Sequence, residues 1–402
     1  MPPASPTVHH EGAPRERDGA TRFTCSRSCV EANLTMTANP DSVRPASIQT
    51  AQIVLPCVDL AATVAFFVDR LGFRIDMIMP ADAPSTAVVS GHGVALRLQN
   101  GVERTAPTLR LTCDPAALPP DKRPLRAPNG VRLEWVDADT PIVLPDACQS
   151  FAVSRGGDSA AWNVGRAGMH YRDLIPDRLG GRFVASHIRI PQGGPVPDYV
   201  HYHNIRFQMI YCRTGWVRVV YEDQGPPFVM HEGDCVLQPP GIRHRVLESS
   251  VGLEVIEIGC PARHETFADH GMTLPTPGMS PQRLFGSQRF VRHVAADATW
   301  QPSRLAGLEV RDTGIAEATV GIASVGVLRR TQASTAVEQP TTHIHSGELL
   351  FVFVLDGELE LTGSQLGHHR LRAGDSCVIP AGVEHALLTS PDIELLEVRL
   401  PA

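Results

Sequence analysis

The sequence predicts a mainly β protein, two barrels of one build behind a small α+β domain, and three observations predict it. First, one skeleton occurs twice: His201-Tyr202-His203, Gln208, Gly215, Gly233, Pro239, Gly241 and His244 return as His343-Ile344-His345, Leu350, Gly357, Gly374, Pro380, Gly382 and His385. The offset is 142 residues as far as Gly357 (343 − 201) and 141 from Gly374 onward (385 − 244), so the copies differ by a single deletion. Second, short apolar runs rich in β-branched residues fill both copies between glycines, among them Val217 to Tyr221, Val251 to Ile258, Leu349 to Leu355 and Leu359 to Leu361. Short strands punctuated by turn residues form barrels or sandwiches. Third, the stretch from Gln52 follows a different rhythm of strand, helix and three strands.

The elements follow in chain order. Residues 1–48 combine Pro, Ala, Ser, Thr and Arg with few large apolar groups, so they cannot bury enough surface to offset ordering entropy and are expected to be a disordered leader. Met36 is an alternative start within it, and Cys25 and Cys29 lack the further ligands a metal needs. In the domain at 49–140, strands are expected at Gln52–Val58, Gly72–Met77, Thr86–Ser90 and Val94–Leu98, with Asp59 capping a helix over Leu60–Leu71. Prolines at 115, 119, 120, 124 and 128 forbid a second such helix. Residues 141–180, with Arg155-Gly156-Gly157 and Trp162, read as an irregular bridge. The first barrel is expected at 181–261, a linker at 262–317 and the second barrel at 318–402.

Composition excludes several function classes. At 402 residues the chain exceeds one core and suits three domains of about 100–200 residues each. Its hydrophobic content of 43% is that of a soluble globular protein, and no run approaches the roughly 18 apolar residues of a membrane span. A net charge of −7 without basic patches argues against nucleic acid or an anionic membrane as partner. Nine scattered cysteines, an odd number, and no signal-peptide pattern suggest reduced thiols in a cytoplasmic protein. Neither a phosphate-binding glycine loop nor a nucleophile arrangement around Ser364 or Ser376 is present.

The repeated histidines carry the chemistry. Two histidines at i and i+2 on a strand share a face, and a third from another strand completes a facial metal site. Neutral imidazole is a ligand for zinc, copper, iron and nickel. Around them the copies invert charge: Arg206 corresponds to Glu348, Arg218 to Glu360 and Arg243 to Glu384. Arg206 stands two before Gln208, so a continuous strand would turn both inward, where Arg206 would clamp a substrate carboxylate. Glu348 would then approach the second ion as a fourth ligand. The competing reading is that these charges pair across an interface between the barrels. Phe207, Tyr211 and Phe351 are expected to line barrel interiors, Tyr202 to face away from the metal, and Cys235 and Cys377 to pack on opposite faces. His368-His369 reads as a solvated loop pair.

The stretches GPVPDYVHYHNIRFQMIYCRTG (194–215) with GDCVLQPPGIRH (233–244), and HIHSGELLFVFVLDG (343–357) with GDSCVIPAGVEH (374–385), resemble the paired motifs of the cupin superfamily. That resemblance covers about 40% of the chain and implies two jelly-roll (double-stranded β-helix) barrels. Its fourth ligand, a Glu, is Gln208 in the first copy and Leu350 in the second. It implies a divalent transition metal on His201, His203 and His244, with Gln208 as a weak ligand, and on His343, His345 and His385. Fe(II) suits three open coordination positions, with Mn, Ni or Zn as alternatives. The architecture is similar to bicupin ring-cleaving dioxygenases of the gentisate and quercetin type, implying a dioxygenase of a small, chelating, anionic hydroxy-acid or diketone, with Arg206 and Gln208 as catalytic candidates. The alternatives are a redox-neutral isomerase or lyase and a non-catalytic metabolite binder. VLPCVDLAATVAFFVDRLGFRIDM with GHGVALRLQ resembles one module of the glyoxalase/vicinal-oxygen-chelate superfamily. That family's ligand histidines fall on Gln52 and near Thr108, and only Glu134 fits a ligand position, so the domain is expected to cover a neighbour or support a homodimer.

Overall fold

The computed structural model describes residues 48–101, 108–114, 116, 125–126, 132–138, 141–157, 161–331 and 341–401. The leader, with Cys25, Cys29 and Met36, lies outside the described residues, as does most of the proline-rich stretch between Leu111 and Val131. The first strand, Ile48–Cys57, leads into the helix Leu60–Ala65, where the Asp59 carboxylate accepts from the Ala62 amide at 2.9 Å. The helix expected to reach Leu71 changes winding at Phe66 and runs on to Arg70 as a π-turn. Strands Arg74–Met79, Thr86–Gly91 and Val94–Asn100 complete the predicted order. Ile48–Cys57 pairs parallel with Val94–Asn100 and antiparallel with Thr108–Cys113. Leu60, Phe73, Val89 and Leu98 are buried against one another behind this sheet.

The sheet does not end with the domain. Arg74–Met79 pairs with Thr266–Ala268, which pairs in turn with His201–His203. The domain and one wall of the first barrel are therefore a single hydrogen-bonded surface. Segments expected to be connectors are structural: Thr266–Ala268 comes from the predicted linker, as does Leu308–Asp312, which joins the second barrel. From the predicted bridge, His170–Asp173 pairs into the first barrel and Ala152–Ser154 into the second. Their runs were too short and too polar to read as strands, and they gain that identity only by pairing with their neighbours.

Each barrel is a sandwich of two sheets. In the first, Trp216–Tyr221, His244–Ser249 and His201–His203 face Phe207–Thr214, Leu253–Cys260 and Val184–Ile190. The second repeats this with Glu358–Gly363, His385–Thr389 and Thr342–His343 opposite Leu349–Asp356, Glu394–Leu400 and Ser324–Arg330. Strand alternation divides the side chains between two cores. Phe207, Met209 and Tyr211 turn outward and meet Phe351 and Phe353 of the other barrel in one buried cluster. This corrects the expectation that Phe207, Tyr211 and Phe351 line interiors. Residues one place on point inward: Cys212 in the first barrel, Leu350, Val352 and Val354 in the second. Cys235 lies in the inter-barrel core and Cys377 inside the second barrel. The described cysteines are all free thiols. No helix among the described residues is long and apolar enough to cross a membrane.

Candidate metal centre

The first barrel assembles its three histidines. His201 and His203 share a face of one strand, and His244 sits directly across from His201 on the next. The turn that delivers His244 needs Gly241, whose φ of +75° strains any residue with a Cβ. One ring nitrogen from each histidine lies within 4.8 Å of the other two, and the rings are buried. Each Nδ1 is already engaged, by the Tyr199 carbonyl at 2.9 Å, the Thr266 hydroxyl at 2.9 Å and the Ile242 carbonyl at 3.0 Å for His201, His203 and His244. The two carbonyls accept from Nδ1–H and so turn the Nε2 lone pairs of His201 and His244 inward, and the Thr266 hydroxyl can accept from His203 Nδ1 in the same way. Burial pushes the His244 pKa down to about 4 and holds His201 and His203 well below the usual range, so all three are neutral and ready to ligate.

The surrounding groups make a cavity of about 90 Å³ with mostly apolar walls, including Met169, Ile188, Val219, Met230 and Val255. Gln208, Glu257, Tyr221 and Arg166 are among the polar residues that break that lining. Gln208 donates from Nε2 to Glu257 at 2.6 Å, and its Oε1 is buried without a partner. Burial raises the Glu257 pKa against the opposing Gln208 bond. Tyr221 stacks on His244 with ring centroids 5.5 Å apart. Arg166 is ion-paired with Asp198, donates from Nη2 to His201 Nε2 at 3.0 Å, and leaves its own Nε unpaired. The donor set fits a divalent ion: three neutral imidazoles, an orphaned amide oxygen beside them and a buried carboxyl within the same cup. If the trio held an ion, Arg166 would give up its bond to His201 Nε2 and keep its pair with Asp198.

The second barrel does not assemble its set in this way. His343 pairs across from His385, repeating the first copy, but the strand ends at His343. His345 therefore leaves the common face, and its Nε2 meets the Ile379 carbonyl at 2.7 Å. The rings of His343 and His345 stand 6.3 and 6.4 Å from His385. Among the described residues only the first trio forms a metal-sized cluster. Leu350, in the place of Gln208, is buried with Val352, Leu361 and Leu395.

Of the two readings left open for Arg206 and Glu348, their geometry matches pairing between the barrels. Both precede their strands, which begin at Phe207 and Leu349, so the alternation that would turn them inward has not started. Glu348 accepts from Arg206 at 3.1 Å and from Arg182 at 2.7 Å, joining the barrels and standing outside both histidine sets. Arg218 pairs with Glu248 on the same sheet, and Arg243 lies over the Tyr202 ring while pairing with Asp269. Sequence reasoning missed Arg166, Asp198, Thr266, Glu257 and Tyr221. One signal was available for Glu257: LEVIEIGC (253–260) and IELLEVRL (393–400) share the spacing of Glu254 and Glu257 as Glu394 and Glu397.

Comparison with known proteins finds a family match over part of the second barrel. Residues 335–398 match the family described as Cupin domain. No curated protein matches the chain. Among solved structures, a variant of oxalate decarboxylase from Bacillus subtilis is 15% identical with a TM-score of 0.46, covering 66% of this chain and 80% of that one. Salicylate 1,2-dioxygenase from Pseudoaminobacter salicylatoxidans, in adducts with gentisate, is 17% identical with a TM-score of 0.45, covering 64% and 82%. The protein Ylba from E. coli is 14% identical with a TM-score of 0.44, covering 65% and 94%. The chain thus carries a matched cupin domain in its second barrel, while the histidine cluster sits in the first.

Proposed function

We propose that the first barrel is the active site of a metal-dependent dioxygenase, with Fe(II) on His201, His203 and His244, acting on a small chelating anion. The observation that carries this reading is the buried, neutral histidine trio opening into an apolar cavity that also holds an incompletely paired arginine. The ion supplies Lewis-acid and one-electron redox chemistry to a chelated substrate and dioxygen. Arg166, rather than Arg206, orients the substrate carboxylate with its free Nε edge. The apolar walls exclude water, which strengthens that ion pair and limits side reactions. Gln208 fixes the Glu257 carboxyl beside the reacting groups, where burial raises its pKa and suits it to carry a proton to or from substrate oxygen. A carboxyl with a raised pKa beside the histidines, Glu257, also favours a second reading, a redox-neutral isomerisation or lyase reaction in which the ion only polarises a carbonyl.

Oxygen consumption by protein reconstituted anaerobically with Fe(II), across hydroxy-acid and diketone panels, tests the first reading. His203→Ala should abolish both uptake and iron retention. No uptake with any panel member, together with turnover under argon by the Zn- or Ni-loaded protein, would replace the dioxygenase with the second reading. The N-terminal domain we read as a glyoxalase-like module without a metal. Arg110 pairs in register with Gln52 on one side and Glu134 on the other, so a guanidinium stands between the two ligand positions. Its role in this reading is to wall the first site: Ala81, from the loop after Arg74–Met79, lines the cavity.

A further inference from the structure

The second barrel keeps three histidines yet surrounds them differently, and the register shows how. In the first barrel Gln208 lies opposite Gly259 and Ile210 opposite Glu257. In the second, Leu350 lies opposite Arg399 and Val352 opposite Glu397. A guanidinium has thus replaced a glycine on the inward face, next to a leucine that has replaced the ligating amide. Glu397 makes no ion pair with it and is held instead by Arg304 at 2.6 Å. Arg399 has no ion-pair partner among the described residues; it is half-buried, and burial with the nearby Arg304 lowers its pKa. The balance is two arginines against one glutamate, whereas Arg166 in the first cup is matched by Asp198 with Glu257 in addition. Arg304 also bears on His343 and His385, both of which are further depressed by it after burial. A cation entering this cup meets repulsion where the first cup offers an oxygen.

Beside Arg399 lies an open cavity of about 220 Å³ lined by His345, Ser324 and Ser346 as well as the arginine. Ser324 is its direct cross-strand neighbour. With Nε2 of His345 committed to the Ile379 carbonyl, the imidazole is fixed in place at the cavity edge. We infer that the second barrel is an anion site rather than a second metal site, binding a small oxyanion, phosphate or carboxylate, through the Arg399 fork with Ser324 and Ser346 hydroxyls. A planar guanidinium with two donors per edge and adjacent hydroxyls is the chemistry that recognises such a group. This site is independent of the reaction assigned to the first barrel.

Isothermal titration of the metal-loaded full chain with inorganic phosphate, and separately with acetate, tests the inference alongside metal analysis. Wild type should hold one metal ion per chain and show an anion site for at least one of the two probes, the responding probe identifying the ligand class. Arg399→Leu should weaken that site roughly tenfold or more, and Arg399→Lys less, while both retain the first-barrel metal; circular dichroism reports their folding. Two metal ions per chain in wild type, no binding of either probe, or an isotherm unchanged in a folded Arg399→Leu protein each overturn it.

Discussion

Thr266 touches no substrate, yet its hydroxyl decides how His203 presents its lone pair. Thr266→Val keeps the shape and deletes the partner, so metal affinity should fall about 10- to 100-fold, measured by competition with a chromogenic chelator. Burial of the histidines sets a pH dependence as well. The unfolded chain binds protons near pH 6.5, but native His244 does so only near pH 4, and His201 and His203 are likewise depressed. Between those limits the unfolded state holds more protons, so stability of the metal-free protein must fall as pH falls. The slope is about 1.4 kcal/mol per pH unit for each such histidine, and it vanishes below the folded pKa. Urea denaturation of chelator-treated protein at pH 7.5 and 5.0 measures it, and equal midpoints would contradict neutral burial. The ligand trio was legible because an H-x-H pair announces its own geometry. Thr266 and Arg166 were not, because they lie 63 residues after and 35 before the histidines they serve and belong to no repeat.

At the scale of elements, the start of a strand determines what its neighbours do. Residues 204–206 bend before Phe207, and Gly347-Glu348 bend before Leu349, so the charges placed two residues before Gln208 and Leu350 escape the inward face. The charge inversion read from the repeat is real, and its product is the bridge Arg182–Glu348–Arg206 between barrels. Periodicity fixes faces only within a strand, which is why the sequence left clamp and interface open. Glu348→Gln leaves two partly buried guanidiniums unmatched and should cost about 1–3 kcal/mol of stability, read by chemical denaturation, with the metal content of the first site unchanged. A loss of metal on this substitution would show that Glu348 acts at a histidine site after all. The same parity explains the second barrel, where a strand ending at His343 releases His345 from the shared face.

For the whole molecule, the continuous sheet makes the N-terminal domain part of the metal centre's support. Ile78 lies in register with Thr266, and Thr266 holds His203, so one strand pairing separates the domain's Arg74–Met79 strand from a ligand's hydrogen-bond partner. Arg178 extends the same contact on another side by binding Asp82 at 2.5 Å and Asp173 at 3.0 Å. Composition and periodicity showed the domain's own strands but not this seam, since Thr266–Ala268 is three residues long and gains its identity only by pairing on both edges. An ion that binds only the ordered histidine trio stabilises every contact that must open with it, by about 2.7 kcal/mol at 100 times its dissociation constant. Hydrogen exchange at Met77 and Ile78 should therefore slow roughly 100-fold on metal loading, while Leu388, exposed on the second barrel, stays unchanged. If exchange at Met77 and Ile78 is indifferent to the metal, the seam opens without disturbing His203 and the domain is a passive neighbour. If it slows, the domain and the first barrel share one opening equilibrium, and substitutions along Arg74–Met79 will reach the ion without touching it.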